Sequence, residues 1–301
     1  MKNIIEKLKN SKPVRYIKRD GSFPVLSIMP SLLGVMVFFI VPFMVVIYYS
    51  FVDNPISRDF VFLDNFINVM RNSAFKNAAG NTFEFSLTAV PLAVVLALAL
   101  AMLLDYKLPY VSVFRTFFLS PMMVPVASVV LIWQVVFHQN GTVNQIIEMF
   151  DGTAVDWFKS DWGLVVVALL FLWKNLGYNM ILFLAGLQQI PKDLVEVATL
   201  EGASSPYIFF SIKLRYLSPT ILFVGIMSLI NSFKVFREVY LLTGDYPVNS
   251  LYLLQHFMNN TFRTLDYQKL SAAAILMGIV MVLIIGGLFV SEDRFGKHLE
   301  D

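Results

Sequence analysis

Apolar residues are gathered into six long segments along this chain of 301 residues, with shorter polar segments between them. Each apolar segment is close to or above the roughly 20 residues that a helix needs to cross about 30 Å of hydrocarbon. The six segments are 28–51, 83–104, 111–137, 163–187, 217–240 and 270–290. The pattern predicts an all-α integral membrane protein with six transmembrane helices.

The basic residues between the predicted spans indicate which way the chain is inserted. Segments on the side of the N-terminus hold 13 Lys and Arg residues, whereas the opposite segments hold 6. Because short cytoplasmic segments carry an excess of positive residues, both termini are predicted to be cytoplasmic. The predicted division is a basic cytoplasmic segment 1–27, a transmembrane domain 28–290 and a cytoplasmic tail 291–301. The loop 188–216 between spans four and five then also faces the cytoplasm.

Composition agrees with a membrane protein and excludes several classes of activity. Hydrophobic residues make up 57% of the chain, charged residues 15%, and the mean hydropathy is +0.68. The net charge of +2 does not indicate a nucleic-acid partner, and the absence of cysteine excludes disulfides and thiolate chemistry. The sequence has no phosphate-loop, zinc-protease or serine-hydrolase motif, and its three histidines lack ligand spacing. We expect no catalytic residue and no metal site, so energy for transport must come from a gradient or from another subunit.

A polar, helix-forming stretch occupies residues 189–204 within the predicted cytoplasmic loop. Pro191 suits the first turn of a helix, residues 192–200 favour helix, and Gly202 allows the backbone to turn before a second helix begins near Ser204. The local pattern predicts helix, turn and helix. On these features alone, an ordinary connector and a docking element for a partner explain the stretch equally well.

Polar residues inside the predicted spans are candidates for a substrate path, because such residues are costly in lipid. They fall in the third, fourth and fifth spans and are Trp133, Gln134, Lys174, Asn175, Tyr178, Asn179, Asn231, Lys234 and Arg237. Lys174, Asn175 and Tyr178 share one helical face. We interpret the set as the lining of one polar, aromatic cavity open to the outside.

Each of these residues also has a purely structural explanation. Lys174 is equally well explained as a partner that fixes helix packing, since intramembrane polar residues bond between helices. Lys234 and Arg237 are long enough to extend to the outer interface, and Trp133 is a common packing residue. The cluster therefore supports a substrate path better than any single member does.

The stretch Glu196-Val197-Ala198-Thr199-Leu200-Glu201-Gly202-Ala203 resembles the E-A-A-x-x-x-G-A signature of permease subunits of binding-protein-dependent ABC importers. The segments 173–179 and 239–244 are similar to positions of the carbohydrate-uptake branch, of the maltose and glycerol-phosphate type. The resemblance covers roughly residues 28–290. Three positions depart from the pattern: Val197 replaces an alanine, Glu201 an aspartate and Arg215 a proline. The loss of that proline is expected to let the second helix continue toward the fifth span.

The resemblance implies a heteromeric complex and a division of labour within it. A second homologous permease would complete the translocation path, an ABC ATPase dimer would bind ATP and Mg²⁺, and an extracellular or periplasmic binding protein would deliver substrate. Residues 189–204 would be the coupling helix region that contacts the ATPase, and this chain would be a multi-pass protein of the prokaryotic cell (inner) membrane. The ATPase-coupling residues implied are Glu196, Ala198, Glu201, Gly202 and Ala203.

The branch resemblance implies sugars or oligosaccharides as substrate, taken up by alternating access. A site of aromatic faces and amide donors agrees with this class, and the candidates are Trp133, Gln134, Asn175, Tyr178 and Asn231. The cations Lys174, Lys234 and Arg237 leave open an anionic substrate, such as a uronate-containing oligosaccharide or glycerol phosphate. An ATP-independent secondary transporter is the alternative from another class.

Overall fold

The computed structural model describes residues 22–54, 56–105 and 110–296. The predicted basic segment 1–27 lies mostly outside these residues, and so does the last part of the predicted tail 291–301. The described chain is built from helices joined by turns, together with an isolated antiparallel bridge between Val52 and Phe60.

The helices run in the following order along the chain. They are α1 (Ser22–Val35), α2 (Val41–Ser50), α3 (Asp64–Arg71), α4 (Ser73–Asp105), α5 (Val111–Met123), α6 (Val126–Val136), α7 (Thr142–Met149), α8 (Trp162–Gln188), α9 (Lys192–Leu200), α10 (Ser205–Tyr207), α11 (Leu214–Tyr216), α12 (Ser218–Lys234), α13 (Phe236–Thr243), α14 (Leu254–Arg263) and α15 (Tyr267–Gly296). The π-helical turn Met36–Ile40 joins α1 to α2, and a second one, Ile208–Lys213, joins α10 to α11.

Five continuous helical stretches among the described residues are long and apolar enough to cross a membrane. They are Ile28–Ser50, Ser73–Asp105, Trp162–Gln188, Ser218–Thr243 and Tyr267–Asp293. A sixth candidate is the pair α5 and α6, whose axes differ by 98° at the short break between them. The prediction of an all-helical protein with several membrane spans is therefore confirmed, and the number of candidate spans is five, or six if the bent pair is one span.

The structure divides the predicted third span, 111–137, at Val124 and Pro125. Val124 has ψ of 132°, an extended conformation that a following proline favours because its ring crowds the preceding residue. Pro125 then stands at the N-cap of α6, where its missing N–H removes no helical hydrogen bond. The predicted fifth span, 217–240, consists of α12 and α13, which meet at Val235 and together form the single candidate span Ser218–Thr243.

The predicted second span, 83–104, belongs to a helix of 33 residues that begins ten residues earlier, at Ser73. Its added first turns are polar, and their side chains bind the chain segment before α14. The Asn81 amide donates to the carbonyl oxygens of Asn249 and Tyr252, and the Thr82 hydroxyl accepts the N–H of Leu254 at 2.8 Å. The extension is therefore held by hydrogen bonds outside the apolar part of the span.

The described residues divide into two compact units, one within residues 1–66 and 267–275 and the other within residues 67–266 and 276–301. In the first unit, the Asn65 amide donates to the carbonyl oxygens of Ser50 and Val52, at 3.1 and 2.8 Å, and closes the turn after α2. All of the predicted coupling and substrate-path residues lie in the second unit.

Small residues let α4 and α8 pack closely in the second unit. Ala89, Ala93, Ala97 and Ala101 recur at every fourth position of α4 and are fully buried. They pack with apolar residues of α8 in two core clusters. Membrane helices lack a hydrophobic force between them and associate through this kind of close backbone approach. The alanine stripe therefore fixes α8, which carries four of the nine candidate cavity residues.

The C-terminal half of α8 also approaches α5, and a glycine makes this approach possible. A Cβ placed on Gly177 would lie 1.9 Å from the carbonyl oxygen of Phe118. Because that neighbour is backbone, it cannot move aside as a flexible side chain would. Gly177 is thus the contact point that holds the first half of the broken pair against α8.

A buried histidine and an ion pair hold α14 against α13 and the connection that follows it. His256 is fully buried, its Nδ1 accepts the N–H of Leu253 at 3.2 Å, and its ring packs edge-on against Phe236. Burial lowers the pKa of His256 to about 4, so the imidazole is neutral near pH 7. Asp245 pairs with Arg263, which lowers the pKa of the carboxyl group and closes the connection.

We predict that Gly177→Ala separates α5 from α8 and lowers the free energy of unfolding by about 1–3 kcal/mol, the usual cost of overpacking a core. Thermal unfolding of the purified protein in detergent measures the change. Gly278→Ala is the matched control, since a Cβ at Gly278 meets nothing within 4 Å. Equal melting temperatures for the two variants would contradict the close contact.

Candidate functional site

A polar cavity of about 400 Å³ lies between α8, the α12–α13 stretch and the break between α5 and α6. Its lining includes Lys174, Asn175 and Tyr178 from α8, together with Asn231 and Lys234 from α12. Arg237 of α13 lines it too. The structure thus brings together the predicted candidates of the fourth and fifth spans.

Three side-chain contacts connect α8 with α12 and α13 beside the cavity, and we call them the polar ladder. Lys174 forms an ion pair with Glu238. The Asn231 amide donates to Asn175 Oδ1 at 2.8 Å, and the Asn179 amide donates to Ser228 Oγ at 2.9 Å. As the residue numbers rise along α8, those of the partners fall along the α12–α13 stretch, as antiparallel helices require.

Glu238 is the site residue that sequence reasoning missed. Its side chain is buried and lines the cavity, where it pairs with the half-buried Lys174. The sequence signal for it is its position four residues after Lys234, a helical spacing, but this spacing does not show that it pairs with Lys174 of α8. The pairing agrees with the structural explanation of Lys174, while the place of both residues on the cavity wall agrees with the substrate path.

Lys234 and Arg237 are exposed on the cavity wall, and neither has an ion-pair partner within the described part of the chain. With Lys174 neutralised by Glu238, the lining carries a formal excess of two positive charges. The amide groups of Asn175 and Asn231 and the Tyr178 hydroxyl add hydrogen-bonding groups of the kind that sugar hydroxyls match.

The structure places Trp133 and Gln134 outside this cavity, in contrast to the expectation of a single lining. The Gln134 amide donates to the carbonyl oxygen of Leu241 at 3.1 Å, tying α6 to α13. Trp133 stacks on Phe137, with ring centroids 5.2 Å apart, and packs against Trp173. The sharp bend after α5 carries both residues away from Lys174, because α6 does not continue the direction of α5.

The second candidate site is the segment from Gln189 to Tyr216, which contains helix α9. The N–H of Gly202 donates to the carbonyl oxygen of Thr199, and the N–H of Ala203 donates to that of Ala198, at 3.1 and 2.9 Å. These two bonds form a Schellman motif, which ends a helix with a left-handed residue. Gly202 supplies that residue, with φ of +83°. The helix, turn and helix expected at residues 189–204 are therefore present, with Pro191 as the N-cap residue of α9.

Helix α9 exposes an apolar stripe as well as its charged residues. Leu194, Val197 and Leu200 recur at every third position and are exposed, Leu200 by 87%. Glu196 and Glu201 are also exposed, and Ala198 and Ala203 are partly covered. An apolar stripe flanked by carboxylates on a short protruding helix has the character of a protein-docking surface.

The opposite side of the segment packs against a hydrophobic core cluster of the protein. Val195 of α9 and Phe209 and Leu214 beyond it pack against the buried cluster formed by α4, α8 and α12. Lys213 also pairs with Asp105 at the end of α4, at 3.9 Å. Consequently α9 packs against the core formed by α4, α8 and α12 and is not connected to it by a loop alone.

Arg215 lies in the helical stretch that leads from α9 into the fifth span. The chain is helical from Ser205 to Tyr216, and Leu217 keeps a right-handed helical conformation before α12 begins at Ser218. This agrees with the expectation that the helix continues through Arg215. The Arg215 side chain is exposed.

Comparison with known protein families finds one match, and it covers most of the chain. Residues 89–300 match the family described as "Binding-protein-dependent transport system inner membrane component". This range includes the cavity, the polar ladder and helix α9.

Several characterised transport proteins are similar to the chain over nearly its whole length. The trehalose/maltose transport system permease protein MalF of Thermococcus litoralis is 30% identical over 93% of this chain and 96% of its own length. The sn-glycerol-3-phosphate transport system permease protein UgpA of Pectobacterium atrosepticum is 29% identical over the same shares.

Solved structures support the same fold. A bacterial ABC transporter involved in the import of the acidic polysaccharide alginate contains a chain with a TM-score of 0.78 and 20% identity, covering 94% of this chain and 99% of that one. The alginate transporter in complex with a pentasaccharide-bound periplasmic protein gives 0.81, at 19% identity, over 95% and 99%. The chain is therefore a multi-pass member of the family of inner membrane components of binding-protein-dependent transport systems.

Proposed function

We propose that this chain is a permease subunit of an ATP-driven importer that takes up sugars or oligosaccharides by alternating access. The observation that carries the proposal is the polar cavity between α8 and α12. Helix α9 packs against the core cluster that also contains the first part of α12, so α12 connects the cavity with α9. Family membership supplies the context, since members work with a binding protein. It also argues against an ATP-independent secondary transporter.

The substrate class rests on the cavity chemistry and on the relatives. Amide and hydroxyl groups from Asn175, Asn231 and Tyr178 offer both donors and acceptors to sugar hydroxyls. The relatives carry the names of trehalose/maltose and glycerol-phosphate permeases, and the structural neighbour belongs to an alginate importer. Carbohydrate is the class that both observations support.

An anionic carbohydrate or glycerol phosphate is the second candidate, and Lys234 and Arg237 are the observation behind it. Both cations lie on the cavity wall without an ion-pair partner in the described chain. Their exposure weakens the argument, because solvent screens exposed charges strongly. A neutral sugar or oligosaccharide therefore remains the main proposal.

The proposed partner of α9 is an ABC ATPase dimer, which would bind ATP and Mg²⁺ in place of this chain. The exposed stripe of Leu194, Val197 and Leu200 would enter an apolar groove, and Glu196 and Glu201 would meet donor groups at its rim. The docking surface would face the cytoplasm, as the distribution of Lys and Arg predicts. A second permease subunit would complete the path, and an extracellular binding protein would deliver the substrate.

We predict that the chain, reconstituted with its co-purifying partners, couples ATP hydrolysis to a binding protein loaded with neutral oligosaccharide. Asn175→Ala and Asn231→Ala should each lower uptake about tenfold, since a lost hydrogen bond costs about 1–1.5 kcal/mol. Uptake of labelled neutral and uronate-containing glycans into proteoliposomes measures this effect.

Gln134→Ala is the matched control for these variants, because its amide lies outside the cavity. Uptake of every glycan at the parent rate by both asparagine variants would exclude the cavity as the path. Stimulation by acidic glycans alone would favour the anionic candidate.

Gly202→Arg should leave the protein in the membrane but abolish its coupling to ATP hydrolysis. Arginine at this left-handed position strains the turn and places a bulky cation on the docking surface, which should weaken docking by about 2 kcal/mol or more. Co-purification of the ATPase and stimulated ATP hydrolysis are the measurements.

Gly202→Ala is the control for backbone strain, because it places a Cβ at the same left-handed position, where nothing lies within 4 Å, without adding a bulky cation. Normal uptake and ATP hydrolysis in Gly202→Arg would show that α9 has no coupling role. A loss of the same size in both variants would assign the defect to strain.

Breaking the ion pair of the polar ladder should cost far more free energy of unfolding than breaking a surface ion pair. Glu238→Gln leaves Lys174 without a counter-charge and should destabilise the protein by about 3 kcal/mol. The reversed pair, Lys174→Glu with Glu238→Lys, should recover much of that loss. Thermal unfolding of Lys174→Glu, Glu238→Lys and the double variant in detergent gives the coupling energy between the two residues.

The exposed pair of Lys159 and Asp156, at 3.4 Å, is the control, and its removal should cost at most about 1 kcal/mol. A double reversal at Lys174 and Glu238 that is less stable than both single variants would contradict the pairing.

A further inference from the structure

A large apolar groove lies on a different face of the second unit from the polar cavity. It is formed by α4, the start and middle of α12, and the last part of α15, and its volume is about 850 Å³. Along α4 it extends from Phe83 to Leu98, which corresponds to about 22 Å at 1.5 Å per residue. This length is most of one bilayer's hydrocarbon thickness of about 30 Å.

The groove is apolar over its length but charged at one end. Arg215, Ser218, Ser291 and Glu292 line the end where α12 begins and α15 finishes. Ser218 Oγ donates to Glu292 Oε1 at 3.4 Å. Arg215 has no ion-pair partner among the described residues, and the coupling role of α9 does not use it. One cation and one anion therefore line the same end of an otherwise apolar groove.

A glycine in the wall, which has no side chain, helps to leave the groove open. Gly225 of α12 lines the groove, and a Cβ at that position would meet nothing within 4 Å. The neighbouring wall residues Leu87 and Val95 of α4 are exposed. Space and apolar surface are thus present along the helices, while the charges are confined to one end.

We infer that this groove binds a phospholipid whose headgroup contains both a phosphate and a primary ammonium group. Its acyl chain lies along α4 and α12, and burial of each CH₂ group favours binding. The Arg215 guanidinium binds the phosphate through paired N–H groups, and the Glu292 carboxylate accepts hydrogen bonds from the ammonium. Phosphatidylethanolamine has this headgroup chemistry.

The two charges distinguish this headgroup from those of phosphatidylcholine and phosphatidylglycerol. A quaternary ammonium, as in phosphatidylcholine, has no N–H to donate to Glu292. Phosphatidylglycerol has a phosphate for Arg215 but no cation to match the carboxylate. A packed helix from another subunit would fill the apolar part of the groove, but it would have to supply an anion and a cation at one depth in the membrane.

The test uses the assembled complex in nanodiscs that contain equal amounts of phosphatidylethanolamine, phosphatidylcholine and phosphatidylglycerol. Native mass spectrometry should find phosphatidylethanolamine retained in preference to the others. Arg215→Gln and Glu292→Gln should each reduce that preference about tenfold, as expected for loss of charge-assisted hydrogen bonds. Arg71→Gln and Asp293→Asn are controls, because neither residue lines the groove.

A second pair of variants tests the apolar part separately. Gly225→Phe should fill the groove and remove the retained lipid, whereas Gly278→Phe should not, although both glycines have open space at the Cβ position. A photoreactive residue in place of Leu222 should cross-link to lipid.

Three results would overturn the inference: no headgroup preference, an unchanged preference in both charge variants, or cross-links from position 222 to another permease subunit only. Lipid retention does not depend on ATP hydrolysis, so this inference and the proposed transport function can fail separately.

Discussion

Polar side chains inside hydrocarbon need partners within the protein, and six of them in this chain pair between α8 and the α12–α13 stretch. The polar ladder joins a charged pair, an amide pair and an amide–hydroxyl pair across one helix interface. Rotation of either helix by one residue would break all three contacts at once. The ladder therefore fixes the register of the helices that surround the cavity, and so determines which groups face it.

The same α12 helix leads back to the proposed docking segment. From Leu217 to Asn231 it extends about 21 Å, as one rod that begins in the core cluster holding Val195 and Phe209. Packed interiors transmit displacement because they are close-packed and bistable rather than soft. In the proposed mechanism, a force on α9 moves α12, and the ladder requires α8 to follow. The cavity wall then changes as a body, which is what alternating access requires.

The sequence was most informative where local physics decides the structure. Segment length and apolarity predict the membrane helices, and the Gly202 turn follows from the need for a left-handed residue after α9. Glu238 was missed because attention to the cations of one helix does not show which acid a neighbouring helix supplies. The departure of Trp133 and Gln134 from the cavity was not predictable either. It depends on the 98° bend at Pro125, and a proline permits such a bend without fixing its size.

The arrangement of charge in the cavity is compatible with the proposed neutral sugar, although three cations line the wall. Lys174, the half-buried cation, is neutralised by the buried Glu238, so no net charge is left where solvent screening is weakest. Lys234 and Arg237 are exposed, and there water and salt reduce their influence on a ligand. The amides of Asn175 and Asn231 bond to each other by a single contact, which leaves further donors and acceptors on both. The inner wall is thus suited to hydroxyl groups, whereas the exposed cations act mainly on the approach of a charged substrate. Neutral and acidic glycans would therefore differ more in their rate of entry than in their contacts with the inner wall.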